Sequence, residues 1–188
     1  MKKILKLAVL FSLLASPVMA KEIEGIRFDF NHKIGDKKVQ LIGAGVRSKW
    51  FFKVYALGAY TTSRVCDRKK IIMSDEPKSL VLFMLRDVNA EQMASSINES
   101  LTKEIPDNSP LKEKRNAFTG LFKEKLLKGT KIVFDYLPGK GISVSQNGKN
   151  LGNIEGADFM QAFYKMYFEA DGCCPELTKE LLECEKEK

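Results

Sequence analysis

The residues best placed to do chemistry lie in Gly43-Ala44-Gly45-Val46-Arg47-Ser48-Lys49-Trp50-Phe51-Phe52-Lys53-Val54-Tyr55-Ala56-Leu57-Gly58-Ala59-Tyr60. Arg47 follows a glycine turn and leads into a long apolar strand that carries Tyr55 and Tyr60. A guanidinium stays charged, so beside a buried strand it needs a partner. That partner is an acid, with Asp87 and Glu91 as candidates, or an anionic or carbonyl ligand. Arg47 and Tyr55 are eight residues apart. Even spacing in a regular strand puts both side chains on one face. Lys49 and Lys53 share this parity, and either adds positive potential or snorkels to water. Trp50 has the opposite parity and is expected to pack against the other face of the sheet.

Other chemistries find little support. The single histidine, His32, falls in a turn-like stretch, Asn31 to Lys37, and is expected to be exposed, without a general-base role. Four cysteines occur, Cys66, Cys173, Cys174 and Cys184, with no CxxC pair, so no metal site and no cofactor is implied. Disulfides are the favoured reading. The easiest bridge joins Cys173 or Cys174 to Cys184, and a vicinal Cys173–Cys174 bond is the rarer alternative.

Residues 1–20 read as a cleaved signal peptide. Lys2, Lys3 and Lys6 precede an apolar run, Leu5 to Leu14, and Val18-Met19-Ala20 supplies the small residues of a cleavage site. Residues 21–188 then form one domain, exported and periplasmic, with no stable membrane anchor. Three lysines leave with the leader, lowering a formal charge of +7. The remaining Lys and Glu are interspersed, which argues against nucleic-acid binding.

Lys21 to Phe30 alternates as one strand, with a bulge near Gly25. Val39 to Ile42 is a second strand, broken by Gly43-Ala44-Gly45. Trp50 to Tyr60 is the long central strand, apolar on both faces. Arg64 to Met73 is a short basic helix, and Ser79 to Val88 a buried strand. Asn89 caps a helix that runs to about Glu104. Ser109-Pro110 opens another that lasts until Gly129. Lys131 to Leu137, Ile142 to Gln146 and Leu151 to Ile154 are strands, the last two joined by an Asn147-Gly148 hairpin. Ala157 to Ala170 and a Pro175-initiated segment are the final helices. The order suggests an α+β domain with helices on one side of an antiparallel sheet.

The motif GAGVRSKWFFKVYALGAY, with Cys174-Pro175-Glu176-Leu177 near the end, resembles the chalcone isomerase fold. It is most similar to bacterial, exported chalcone isomerase-like proteins. The resemblance implies an open-faced sandwich, a large antiparallel sheet covered by a helical layer with a ligand cleft between them. In the plant enzymes a strand arginine, matched by Arg47, polarises the substrate. Tyr55 matches a threonine position, Asn98 matches a helix asparagine, and Met166 falls near a position that sets substrate preference. Glu91 stands where those enzymes carry a tyrosine, and a carboxylate there repels a phenolate substrate. Non-catalytic members bind fatty acids through an arginine and a tyrosine, matched by Arg47 and Tyr55.

Three readings follow. The leading one is a non-catalytic binder of a fatty acid or similar amphipathic anion, held by Arg47 and Tyr55, with Asn98, Glu91 and Met166 in contact. Helix Ala157 to Ala170 would line the tail's channel. The second is an intramolecular lyase acting on a phenolic enone through Arg47, Tyr55 and Asn98. The third is a periplasmic protein-interaction module with a filled core and no ligand. No protein partner is identified.

Overall fold

The computed structural model describes residues 20–183. The leader reading falls on residues 1–20, and Cys184 near the other end; residues 1–19 and Cys184 lie outside the described residues. The chain first forms a hairpin, β1 (Ala20–Ile23) and β2 (Ile26–Asp29), where one bulged strand is expected. The turn is made by Glu24 and Gly25, both at positive φ (54° and 73°). Two such residues in succession reverse a twisted ribbon.

Seven antiparallel strands form the main sheet: β3 (Asn31–Ile34), β4 (Lys37–Lys49), β5 (Phe52–Thr61), β6 (Lys78–Met84), β7 (Lys131–Leu137), β8 (Gly141–Gln146) and β9 (Lys149–Ile154). They are ordered as they occur in the chain. Five helices complete the fold: α1 (Arg68–Met73), α2 (Ala90–Thr102), α3 (Lys112–Thr119), α4 (Ala157–Phe168) and α5 (Pro175–Leu181). This is the expected open-faced sandwich. One sheet face packs the helices, with Leu57, Leu82, Phe134 and Val144 against Phe118, Phe159 and Phe163. The other carries a smaller core in which Phe28 of the β1–β2 hairpin meets Phe83 edge to face.

The sheet curls. His32 Nε2 on β3 donates a 2.9 Å hydrogen bond to Asp135 Oδ1 on β7, four strands away, and its ring lies 5.5 Å from that of Tyr60. His32 is therefore a strand residue, largely buried, and not an exposed turn residue.

The glycines before Arg47 do not interrupt the chain. β4 runs unbroken through Gly43, Ala44 and Gly45 to Lys49. Their lack of side chains serves helix packing: a Cβ on Gly43 would strike the backbone of Leu181, and one on Gly45 the side chain of Glu180. Helix α5 thus lies directly on β4. Beyond Gln40, β4 has lost its β3 partner. Glu180 covers this free edge by accepting a 2.7 Å hydrogen bond from the Val46 N–H.

Capping follows the local sequence. The Asn89 side chain accepts from the Gln92 N–H at 2.8 Å, and Pro175 occupies the first turn of α5. Helix α3 is shorter than its spacing suggests: it ends at Gly120, and Phe122 and Leu126 reach the core from irregular chain. The Val88–Leu126 bridge holds that segment. Lys78 is buried, donating to the Ile71 and Ser74 carbonyls at 2.6 and 2.7 Å and so closing the end of α1. Burial pushes its amine down to about 8.

Candidate functional site

The turn that builds the site sits where none is expected. Trp50 and Phe51 form a two-residue hairpin, with Lys49 opposite Phe52. Arg47 on β4 and Tyr55 on β5 are direct cross-strand partners. They share a face for that reason, and not because they lie on one strand. A register shift follows: Arg47 faces Tyr55 but Ser48 faces Lys53, leaving Val54 as the extra residue of a bulge. Val54 and Tyr55 consequently both line the cleft below the helices.

The cleft has two continuous parts. The outer part, about 540 Å³, opens between the β4–β5 tip, the start of α2 and the loop after β6. Trp50, Phe52, Val54, Val88 and Met93 give it apolar walls; Arg86, Asp87, Glu91, Gln92, Ser95 and Glu99 give it a polar rim. The inner part, about 80 Å³, is lined by Arg47, Tyr55, Met166, Tyr167, Ser96, Ser100 and the Cys173–Cys174 pair. Lys49, Val54, Tyr55, Met93 and Ser96 belong to both.

Arg47 is half-buried, and its Nη1 donates to the Ser48 carbonyl at 2.8 Å. Among the described residues it has no carboxylate partner. Asp87 is bound instead to Lys125 at 2.8 Å and accepts from the Lys128 N–H at 2.9 Å. Glu91 lies on the rim of the outer cleft. The charge of Arg47 falls on two phenols. Burial pushes the hydroxyls of Tyr55 and Tyr167 above their ordinary pKa, while the Arg47 guanidinium pulls both the other way. Tyr55 and Tyr167 lie together at the inner cleft, and each bears on the other's ionisation.

Each of these side chains is held from behind. Glu180 fixes β4 one residue before Arg47. Thr178 Oγ1 donates to the Tyr167 carbonyl at 2.6 Å and to the Cys174 carbonyl at 3.0 Å, tying α5 to the end of α4. The Cys173 N–H donates to the Met166 carbonyl at 2.9 Å. Cys173 and Cys174 are bonded to each other, so neither is bridged to Cys184, and Cys66 is also disulfide-bonded.

Arg47, Tyr55 and Met166 meet at the inner cleft, and Glu91 sits at its outer part. Asn98 is on α2 but lines neither part; its carbonyl accepts from Thr102 Oγ1 at 2.7 Å. Trp50 does not pack on the sheet: it is 86% exposed at the hairpin tip. Helix α4 does not line a long channel either. Phe159, Met160 and Phe163 are core, and only Met166 and Tyr167 reach the cleft. Its walls come chiefly from β5 and α2. Tyr167 is the residue that sequence reasoning passed over. Its signal was a phenol on an otherwise apolar helix, whose hydroxyl needs a partner.

Among the described residues no His, Cys, Asp and Glu group has the makings of a metal site, and no helix is long and apolar enough to cross a membrane. No curated protein matches the chain. Among solved structures, a fatty-acid binding protein of Arabidopsis thaliana superposes with a TM-score of 0.71 at 18% identity, covering 88% of this chain and 96% of that one. At that identity the likeness concerns the fold. The family model described as chalcone isomerase-like matches residues 20–183, which span the curled sheet, the helical layer and the Arg47 cleft between them; the chain belongs to the chalcone isomerase-like family.

Proposed function

We propose that this protein is a non-catalytic binder of a fatty acid or a similar amphipathic anion. The observation that carries the reading is Arg47: a half-buried guanidinium with no acid partner among the described residues, at the inner end of a cleft and beside two phenols. A carboxylate completes that arrangement, taking the arginine fork and the Tyr55 hydroxyl. The tail then runs outward over Val54, Met93 and Val88 towards Phe52. A mostly apolar cleft with few convergent polar groups is the usual form of such a site. The fold likeness to a fatty-acid binding protein supports the same reading. The lyase alternative draws less support, because Asn98 lies off the cleft and Glu91 and Glu99 stand at its rim. We also propose export to the periplasm, on the strength of the leader-like residues 1–20.

Native mass spectrometry after incubation with long-chain fatty acids tests the binding reading. A fatty-acid adduct on the wild type that disappears in Arg47→Ala supports it. No adduct on either protein overturns it.

A further inference from the structure

Three consecutive aromatic residues crown the β4–β5 hairpin: Trp50, Phe51 and Phe52 are 86%, 97% and 59% exposed. This is the largest run of exposed apolar side chains among the described residues, and it forms a projecting tip, not a flat face. Trp50 takes φ of 62°, a left-handed conformation suited to glycine or asparagine and costly for a bulky side chain. The turn thus holds an aromatic ring in water where folding alone favours a smaller residue.

The tip is flanked by cations. The Arg86 guanidinium lies over the Phe52 ring at 4.9 Å, and Lys49 precedes the turn. Among the described residues neither is paired with an acid, whereas Lys53 is held by Glu24 at 2.7 Å. Exposed aromatic rings beside two unpaired cations match the interface of an anionic bilayer, where rings enter the headgroup layer and cations meet phosphates. A protein partner would be expected to meet a broader, flatter apolar patch.

We propose that the Trp50-Phe51-Phe52 tip docks the protein onto anionic lipid bilayers. The proposal stands apart from the ligand reading, since the tip's exposure and charge are properties of the ligand-free protein. Trp50 and Phe52 also line the outer cleft, so docking turns its mouth towards the bilayer.

The chain contains a single tryptophan, Trp50, whose emission therefore reports on the tip itself wherever else the chain touches a vesicle. The experiment mixes the protein with phosphatidylcholine vesicles, with and without phosphatidylglycerol, in plain and brominated form. Phe51 lines neither part of the cleft, so Phe51→Asp separates docking from ligand binding. The expected result is a blue shift and bromine quenching with phosphatidylglycerol vesicles, weakened by salt. Phe51→Asp should lower partitioning by about tenfold or more. Absence of quenching on anionic vesicles overturns the proposal, as does a Phe51→Asp variant that partitions like the wild type. A concentration-dependent blue shift without vesicles, accompanied by dimers in sedimentation, assigns the tip to self-association and also overturns it.

Discussion

Arg47 and Tyr55 are direct partners across the β4–β5 hairpin, and the bulge at Val54 begins immediately beside them. A hairpin pair is stiffer than two residues on separate elements, because the ladder on either side fixes both backbones. Here it holds a guanidinium and a phenol on one face of the sheet. Tyr167 adds a second phenol from α4, and α5 clamps β4 through Glu180. Such preorganisation lowers the ordering cost of binding.

If Tyr55 donates to the ligand and Tyr167 supports it, their removal should have graded effects. Tyr55→Phe is expected to weaken fatty-acid binding by about 2–10-fold, the worth of one neutral hydrogen bond. Tyr167→Phe should cost less, since Tyr55 is the phenol paired directly with Arg47 across the hairpin. Isothermal titration with one saturated fatty acid gives both values.

The glycines under α5 should differ in what they tolerate. Gly43→Ala pushes a methyl into the Leu181 backbone, which cannot swing aside, and is expected to destabilise by about 1–3 kcal/mol. Gly45→Ala meets the Glu180 side chain and displaces it from the Val46 N–H. Adding Glu180→Ala should relieve the second substitution and not the first, a non-additivity that urea unfolding of the double variants measures.

Alkaline pH should expose the burial of the phenols. All five tyrosines are shifted upward, with burial as the leading cause in each. The native state therefore keeps protons that the unfolded chain releases near pH 10, so this stability is complete below pH 10 and falls as pH rises beyond it. Lys78 acts in the opposite sense between about 8 and its ordinary 10.5, where the unfolded chain holds the extra proton. Tyrosinate absorbance followed beside circular dichroism should rise only as the fold is lost. A tyrosine that ionises near pH 10 in the folded protein would contradict this.

Relieving the turn should stabilise the protein. Trp50→Gly removes the left-handed strain and an exposed ring, and is expected to raise stability by up to about 1 kcal/mol, less the entropy glycine adds to the unfolded chain. Thermal unfolding checks the sign. A loss of stability would mean that Trp50 packs in the native state.

Much of this was legible in the sequence, and the rest was hidden for physical reasons. Asn147-Gly148 announced its hairpin because both residues accept positive φ, and they adopt 49° and 84°. Pro175 and Asn89 marked helix starts by their own capping chemistry. The β4–β5 turn was invisible because Trp50-Phe51 carries no turn residue and extends an apolar run. Gly43 and Gly45 suggested that missing turn, when their purpose is the approach of α5, a contact nearly the whole domain away in sequence. Charge and resemblance singled out Arg47 and Tyr55, which the fold brings together at the cleft. Tyr167 was hidden among core aromatics, since periodicity marks a helix's apolar face without showing which member reaches a cleft.

Recognition of a carboxylate by Arg47 can be tested by chemistry at the ligand as well as at the protein. The most direct measurement compares a fatty acid with the fatty alcohol of equal chain length, each titrated into wild type and Arg47→Met. The alcohol keeps the tail and loses the charge. Wild type is expected to prefer the acid by about 10–150-fold, the range for hydrogen bonds to charged groups, and Arg47→Met to lose the preference while still binding the alcohol. Equal affinity of wild type for acid and alcohol, or a preference for the acid that survives in Arg47→Met, would contradict it.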